Sequence, residues 1–261
     1  MPPIFSRRWF LTTLLAIAAV GVLIGLGIWQ LNRLAQRRAS NAQVLAQMKA
    51  DPLTLDSQSL EADLLSMEYR AVVVTGRYDP AQQVVLRNQV WQNQPGVDLL
   101  TPLVISGTNQ AVLVDRGWIP QQDAAPDKRS QYDEPGVVTV RGVLRRPQTK
   151  PDFGGVPDPP LAVGQTRLDA WNIVNLERIS QQVSVPLLTA YIQQSPGSTQ
   201  TAPPYPSEPQ IDLTEGPHFS YALQWFTFAA ILAIGYPVYV RRQSQGQGAQ
   251  RQALQSKPSA G

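Results

Sequence analysis

The 261-residue chain has no cysteine and a single histidine, His218. Without thiols it forms no disulfide and no zinc-thiolate or copper-thiolate centre, and a Cys-x-x-Cys-His haem attachment is excluded. One imidazole cannot supply a His-rich metal site, and no Gly-rich phosphate loop follows a strand-like run. Carboxylate acid-base chemistry is the enzymatic route left, with Asp115 in "LVDRGW" as its candidate. The plainer reading of Asp115 is a local ion pair with Arg116 or a turn hydrogen bond. Acidic residues are missing from both ends of the chain, since all 19 lie between Asp51 and Glu215. Sixteen of the 22 basic residues lie between Arg33 and Arg178, so that region is net negative and the overall +3 comes from the ends. No basic nucleic-acid-binding face is indicated.

Two long runs without charge dominate what is present. Residues 10–28, "FLTTLLAIAAVGVLIGLGI", are long enough at 1.5 Å per residue to span a hydrocarbon core of about 30 Å. A cleaved signal peptide would have a shorter apolar core and a small-residue cleavage site, whereas here "WQLNRLAQRRAS" continues as a polar helix. Residues 218–240 include "FSYALQWFTFAAILAIGYPVYV", in which Pro237 either kinks the helix or marks its end. The alternative for this second run is a buried helix of a soluble core. Arg241 and Arg242 follow it, and no Lys or Arg lies between Gln200 and His218, so both termini are expected in the cytoplasm. The short segment before the first run speaks against a transit peptide and for a bacterial plasma membrane.

The expected organisation is a cytoplasmic N-terminus (1–9), a transmembrane helix (10–28), a helical stalk (29–52) and an extracytoplasmic β-rich domain (53–217). A second transmembrane helix (218–240) and a disordered cytoplasmic tail (241–261) follow. The fold class is thus a membrane protein with two transmembrane α-helices flanking a β-rich, α+β domain with a largely antiparallel sheet. Its strands are "YRAVVVTGRY", "QVVLRNQ", "VDLLTPLVI", "QAVLVDRGWI" and "GVVTVRGVLRR", β-branched runs separated by turn residues. "YDPAQQ" and "SGTNQ" read as turns between them. Ile173, Leu176, Ile179 and Val183 have helical spacing, which predicts one helix packed on the sheet before the strand-like "LLTAYIQQS". The Pro/Gly-rich segments 150–165 and 195–216 read as loops.

Two features have both a binding and a structural reading. Gly21 and Gly25 form a G-x-x-x-G pair, either a face for another helix or simply glycine in a membrane segment. If both helices cross one bilayer, Trp29, Gln30 and Arg33 at the outer end of the first meet His218, Tyr221, Gln224 and Trp225 of the second. His218, Tyr221 or Ala222, and Trp225 fall on one helical face, with Gln224 turned elsewhere. An imidazole beside aromatics and an arginine suits haem iron, with the macrocycle in lipid and the propionates toward Arg33. The same residues are equally ordinary interfacial anchors, and the spacing does not separate haem from quinone or lipid.

A set of ordered pieces adds to this: "GIWQLNR" (27–33), "YRAVVVTGRYD" (69–79), "VVLRNQ" (84–89), "PGVDLLTPL" (95–103), "VLVDRGWIP" (112–120), "VRGVLRRP" (140–147) and "HFSYALQWF" (218–226). Together they resemble the surfeit-locus-one family of cytochrome c oxidase assembly proteins. The resemblance implies no catalysed reaction, a haem a-binding role with His218 as iron ligand, and supporting places for Trp29, Gln30, Arg33, Tyr221, Gln224 and Trp225. The partners it implies are oxidase subunit I, haem A synthase and membrane lipid, with no nucleic acid. The competing expectation is a cofactor-free scaffold that stabilises an oxidase assembly intermediate. The loop 150–164, the stretch before Gly216 and the tail depart from the family pattern.

Overall fold

The computed structural model describes residues 6–151, 153–197 and 201–255. The chain divides into two compact units, Met1–Ala42 with Asp212–Gly261, and Gln43–Ile211.

The first unit is built on two long helices, α1 (Phe10–Lys49) and α3 (His218–Gln255). Both contain a stretch long and apolar enough to cross a bilayer, and the chain is a membrane protein. Buried positions on α1 fall at multiples of seven, Thr13, Gly27 and Leu34, and Ala222, Ala229 and Val240 are buried on α3. A seven-residue seam is the pattern of two helices packed at a shallow angle. The pair is antiparallel: the Thr13 hydroxyl is 2.7 Å from Tyr236 Oη, and the Gln30 side chain meets His218. Gly27 marks the close approach, because a Cβ there would sit 2.6 Å from the Phe226 ring. Gly21 and Gly25 point away from the seam, with nothing within 4 Å of an added Cβ. Their G-x-x-x-G face therefore does not join the two spans. α3 runs through Pro237 and on to Gln255, so the tail expected to be disordered is helical from 241 to 255; residues 256–261 lie outside the described residues. Gln, Ala and Arg are good helix formers, and extending an existing helix needs no new nucleus.

The second unit is a β-domain. Its strands are β1 (Leu53–Leu55), β2 (Ala71–Tyr78), β3 (Val84–Trp91), β4 (Gln94–Ile105), β5 (Ala111–Pro120), β6 (Val138–Arg145), β7 (Ala170–Trp171) and β8 (Tyr191–Gln194). They lie in the order β1-β2-β6-β8-β5-β4-β3-β7, and β2 also pairs with the far end of β4, which closes five strands into a ring. Inside it lie Val72, Val74, Leu103, Ile105, Val112, Val114, Val140, Leu144 and Ile192. Burying these alternate positions on every strand makes the closed sheet its own core. Closure needs close backbone approach at two glycines: a Cβ on Gly76 would lie 2.3 Å from the Val104 carbonyl, and one on Gly142 would lie 2.2 Å from that of Gln193. β5 is buried along nearly its whole length because Leu113 faces a second cluster with Val84, Leu100, Trp171 and Ile179.

The five strand segments expected from the sequence all form, and "SGTNQ" is the β4–β5 loop. β3 and β4 turn at Gln92 and Asn93, both at positive φ (48° and 64°), with Trp91 opposite Gln94. This is the geometry of the tight hairpin turns that suit twisted strands. The expected helix is shorter than its apolar spacing suggested. Only α2 (Leu176–Ser180) is helical, and Ala170–Trp171 pairs with β3 instead. Asn175 sets the start, its side chain accepting from Arg178 N–H at 3.1 Å. Gln182 bonds both the N–H and the carbonyl of Leu168, each at 2.9 Å, which holds the chain just past the helix end.

Candidate functional site

The single histidine sits at the first residue of α3, where the helix pair of the membrane unit ends. Gly216 turns the chain into the helix at φ +68°, a conformation that side chains other than glycine resist. Ahead of it, residues 212–215 are tied to α1. Arg38 grips Glu215 through a two-bond fork, Nε to Oε1 and Nη2 to Oε2, both 2.8 Å. Arg37 donates to the Asp212 carboxylate at 2.8 Å and to the Thr214 carbonyl at 3.0 Å, and Asn41 donates to the Leu213 carbonyl at 2.6 Å. The Arg38 hydrogen bond and charge hold the Glu215 carboxyl below the usual carboxylate range. This strapping fixes where α3 starts, and with it the imidazole.

His218 Nδ1 lies 2.8 Å from Gln30 Oε1. A carbonyl oxygen only accepts, so Nδ1 carries the proton in this pair and the lone pair is left on Nε2. The Nε2 edge faces Gly216, where even an added Cβ would stand off at 3.6 Å. A cleft of about 410 Å³ opens beside it, lined by Arg33, Gln36, Arg37, Ser40, Thr214, Gly216 and His218 among others. Arg33 donates to Gln36 at 3.2 Å and has no carboxylate partner among the described residues. The cleft thus offers a ring nitrogen with an available lone pair and a guanidinium that no carboxylate neutralises among the described residues, beside the Asp212 and Glu215 carboxylates that Arg37 and Arg38 hold.

Of the residues singled out from the sequence, the fold brings His218, Gln30 and Arg33 together. Trp29, Tyr221 and Gln224 are exposed, and none of the three lines the cleft. Ala222, not Tyr221, lies buried on the seam below His218. Trp225 is partly buried and meets Phe228 edge-on at 6.2 Å. Sequence reasoning missed Gly216 and the strap. Its readable signal was charge: two acids at 212 and 215 facing two arginines at 37 and 38.

The "LVDRGW" segment of the β-domain resolves differently. The Asp115 carboxylate accepts the Gly117 N–H at 3.0 Å, so the turn hydrogen bond forms while Arg116 turns elsewhere. Arg116, 1% exposed, donates to the Tyr132 carbonyl at 2.7 Å, pairs with Glu134 and lies over the Tyr78 ring at 4.6 Å. Gly117, at φ +103°, is a bulge in β5, and Tyr205 presses its backbone against it. Burial pushes Asp98 well above the usual carboxylate range, and the nearby Asp115 adds to it. Burial also raises Asp115, against the pull of the Gly117 N–H and Arg145. The motif serves the architecture of the barrel.

The profile of the SURF1 family matches residues 17–230, most of the chain. The chain belongs to the SURF1 family. A SURF1-like protein of Monosiga brevicollis is 27% identical over 251 residues, covering 91% of this chain and 88% of its own. Surfeit locus protein 1 of Rattus norvegicus is 23% identical over 250 residues, covering 90% and 76%. A SURF1-like protein of Mycobacterium bovis is 27% identical over 212 residues, covering 79% and 73%. The SURF1 family match takes in Gly27, Gln30, Arg33, His218 and Phe226 of the helix pair as well as the whole barrel.

Proposed function

We propose that this SURF1-family chain is a cytochrome c oxidase assembly factor that works as a haem a chaperone, with no catalysed reaction of its own. Haem a is its cargo, received from haem A synthase and passed to oxidase subunit I. The observation that carries this reading is the 2.8 Å pairing of His218 Nδ1 with Gln30 Oε1. A histidine that ligates a metal generally donates its other ring N–H to an acceptor, which fixes tautomer and ring orientation. His218 Nε2 would hold the iron and Arg33 would take a propionate carboxylate, while the exposed Trp29, Tyr221 and Gln224 and the partly buried Trp225 would flank the macrocycle from the lipid side. Holding must be weaker than at the oxidase's own site, since a tighter carrier would not release. Arg241 and Arg242, which follow the apolar stretch of α3, support cytoplasmic termini in a bacterial plasma membrane, with the β-domain outside and no nucleic-acid partner. The outward Gly21/Gly25 face favours a second reading, a cofactor-free scaffold that grips partner helices.

The test is the reduced-minus-oxidised spectrum of the full chain, co-expressed with a haem A-producing pathway, against His218→Ala and Gln30→Leu at matched yield. The chaperone reading expects stoichiometric haem a on the natural chain and none on His218→Ala. Gln30→Leu should weaken binding by about 10–100-fold, the usual loss when a ligand's hydrogen-bond partner is removed. Folded natural chain without haem would hand the role to the scaffold reading.

A further inference from the structure

Near the terminal ends of the two spans, the seam between α1 and α3 opens into a groove of about 250 Å³. Its walls are Ala16, Ile17 and Val20 on one side and Leu232, Ala233 and Pro237 on the other. At its end, Tyr236 Oη is held by Thr12 and Thr13 at 3.0 and 2.7 Å, so the phenol is spoken for and the surface it presents is apolar. The groove extends roughly 10 Å along α1, from Thr13 to Val20.

What lies beyond it fixes its depth. Trp9 meets Tyr239 edge-on at 6.1 Å, and the Arg8 guanidinium lies over Trp9 at 5.6 Å. Aromatic pairs of this kind mark the boundary between hydrocarbon and headgroups. Arg241 and Arg242 follow one turn past Pro237, about 6 Å further along the axis, and both are exposed. No acidic residue precedes Asp51 or follows Glu215, so neither arginine has a carboxylate in its own or the facing helical segment.

An apolar slot within acyl-chain depth, ending below a cationic rim, has the order of parts of an anionic phospholipid: chain, glycerol level, phosphate. We propose that the groove holds one acyl chain of an anionic phospholipid whose phosphate is bound by Arg241 and Arg242. The charge complementarity selects the occupant, since a zwitterionic lipid fills the slot but brings its own cation to the rim. The site lies at the opposite end of the spans from His218.

Native mass spectrometry of the full chain from micelles carrying equal phosphatidylglycerol and phosphatidylcholine of identical acyl chains tests this. The natural chain should retain one phosphatidylglycerol with a preference on the order of tenfold, from two headgroup-level arginines. The double variant Arg241→Gln/Arg242→Gln, on exposed positions that leave the seam intact, should bring the two lipids to parity. Ala16→Phe should fill the slot and lower retention of both. Equal retention of the two lipids by the natural chain would overturn the proposal. So would an undiminished preference in the arginine variant, or full phosphatidylglycerol retention by a folded Ala16→Phe chain.

Discussion

Two glycines with the same backbone demand but different surroundings separate the conformational role of a residue from its spatial one. Gly107 (φ +76°) and Gly117 (φ +103°) both sit where side chains resist. A Cβ on Gly107 meets nothing within 4 Å, whereas on Gly117 it would lie 2.3 Å from the Tyr205 carbonyl oxygen. Gly107→Ala should cost only the conformational term, roughly 1–2 kcal/mol. In Gly117→Ala the backbone of Tyr205 must also move. That breaks the reciprocal Trp118–Tyr205 hydrogen bonds, both 2.9 Å, worth roughly 1 kcal/mol each. It also disturbs the stack of Tyr205 between Trp91 (5.3 Å) and Trp118 (6.3 Å), at roughly 0.5–1.5 kcal/mol per pair. The total is roughly 4–7 kcal/mol. At about 2–4 °C per kcal/mol for a domain of this size, Gly117→Ala should melt at least about 8 °C below the natural chain and Gly107→Ala only a few degrees below. Thermal unfolding of the full chain in detergent, followed by the near-ultraviolet circular dichroism of the aromatic stack, reads both. Equal shifts would mean that the Tyr205 crossing contributes nothing and that Gly117 is there for its φ alone.

The membrane seam permits a similar comparison: Gly27→Leu should push α1 from α3 at Phe226 and destabilise the pair by about 1–3 kcal/mol, while Gly21→Leu leaves it unchanged. Thermal melts in detergent and the distance between spin labels on the two helices check this. The Asp98 and Asp115 carboxyls, raised by burial, bind protons in the folded state that the unfolded chain has already released. Their contribution to stability is therefore fully present at acid pH and is lost as pH rises from the ordinary carboxylate range through neutrality. Asp98→Asn should flatten that fall and gain about 1–2 kcal/mol at pH 7, read from denaturant midpoints against pH.

The sequence carried the strands wherever β-branched runs met clear punctuation. β2 to β6 were legible because Val, Ile and Leu alternate between Gly, Asp and Asn. β1 and β7 are three and two residues long and parallel to their neighbours, pairings that no local pattern encodes. The helix over 173–183 was overread, because a 3.6-residue spacing of buried side chains arises equally when a short turn and its flanks wrap one cluster. At the site, helical phase placed His218 on the seam, but it left Tyr221 and Ala222 as alternatives, and only packing decides between neighbours 100° apart. The pairing of Gln30 with His218 joins residues 188 positions apart, and it follows from the antiparallel register of two helices that neither helix specifies alone.

The place of β8 in the sheet has a consequence for synthesis. β8 lies between β6 and β5, bonded to both, yet it is the last strand made. Until the ribosome has delivered Tyr191–Gln194, β5 and β6 each show an unpaired edge, and the ring stays open. At bacterial-to-eukaryotic elongation rates of about 5–20 residues per second, the stretch from Lys49 to Tyr191 leaves α1 available for insertion roughly 7–30 s before closure. For that interval the nascent chain is a tethered, unclosed sheet with strand edges that invite pairing with other chains. Any product stopped short of residue 191 stays in that state for good, so late truncations should be as damaging to the barrel as early ones.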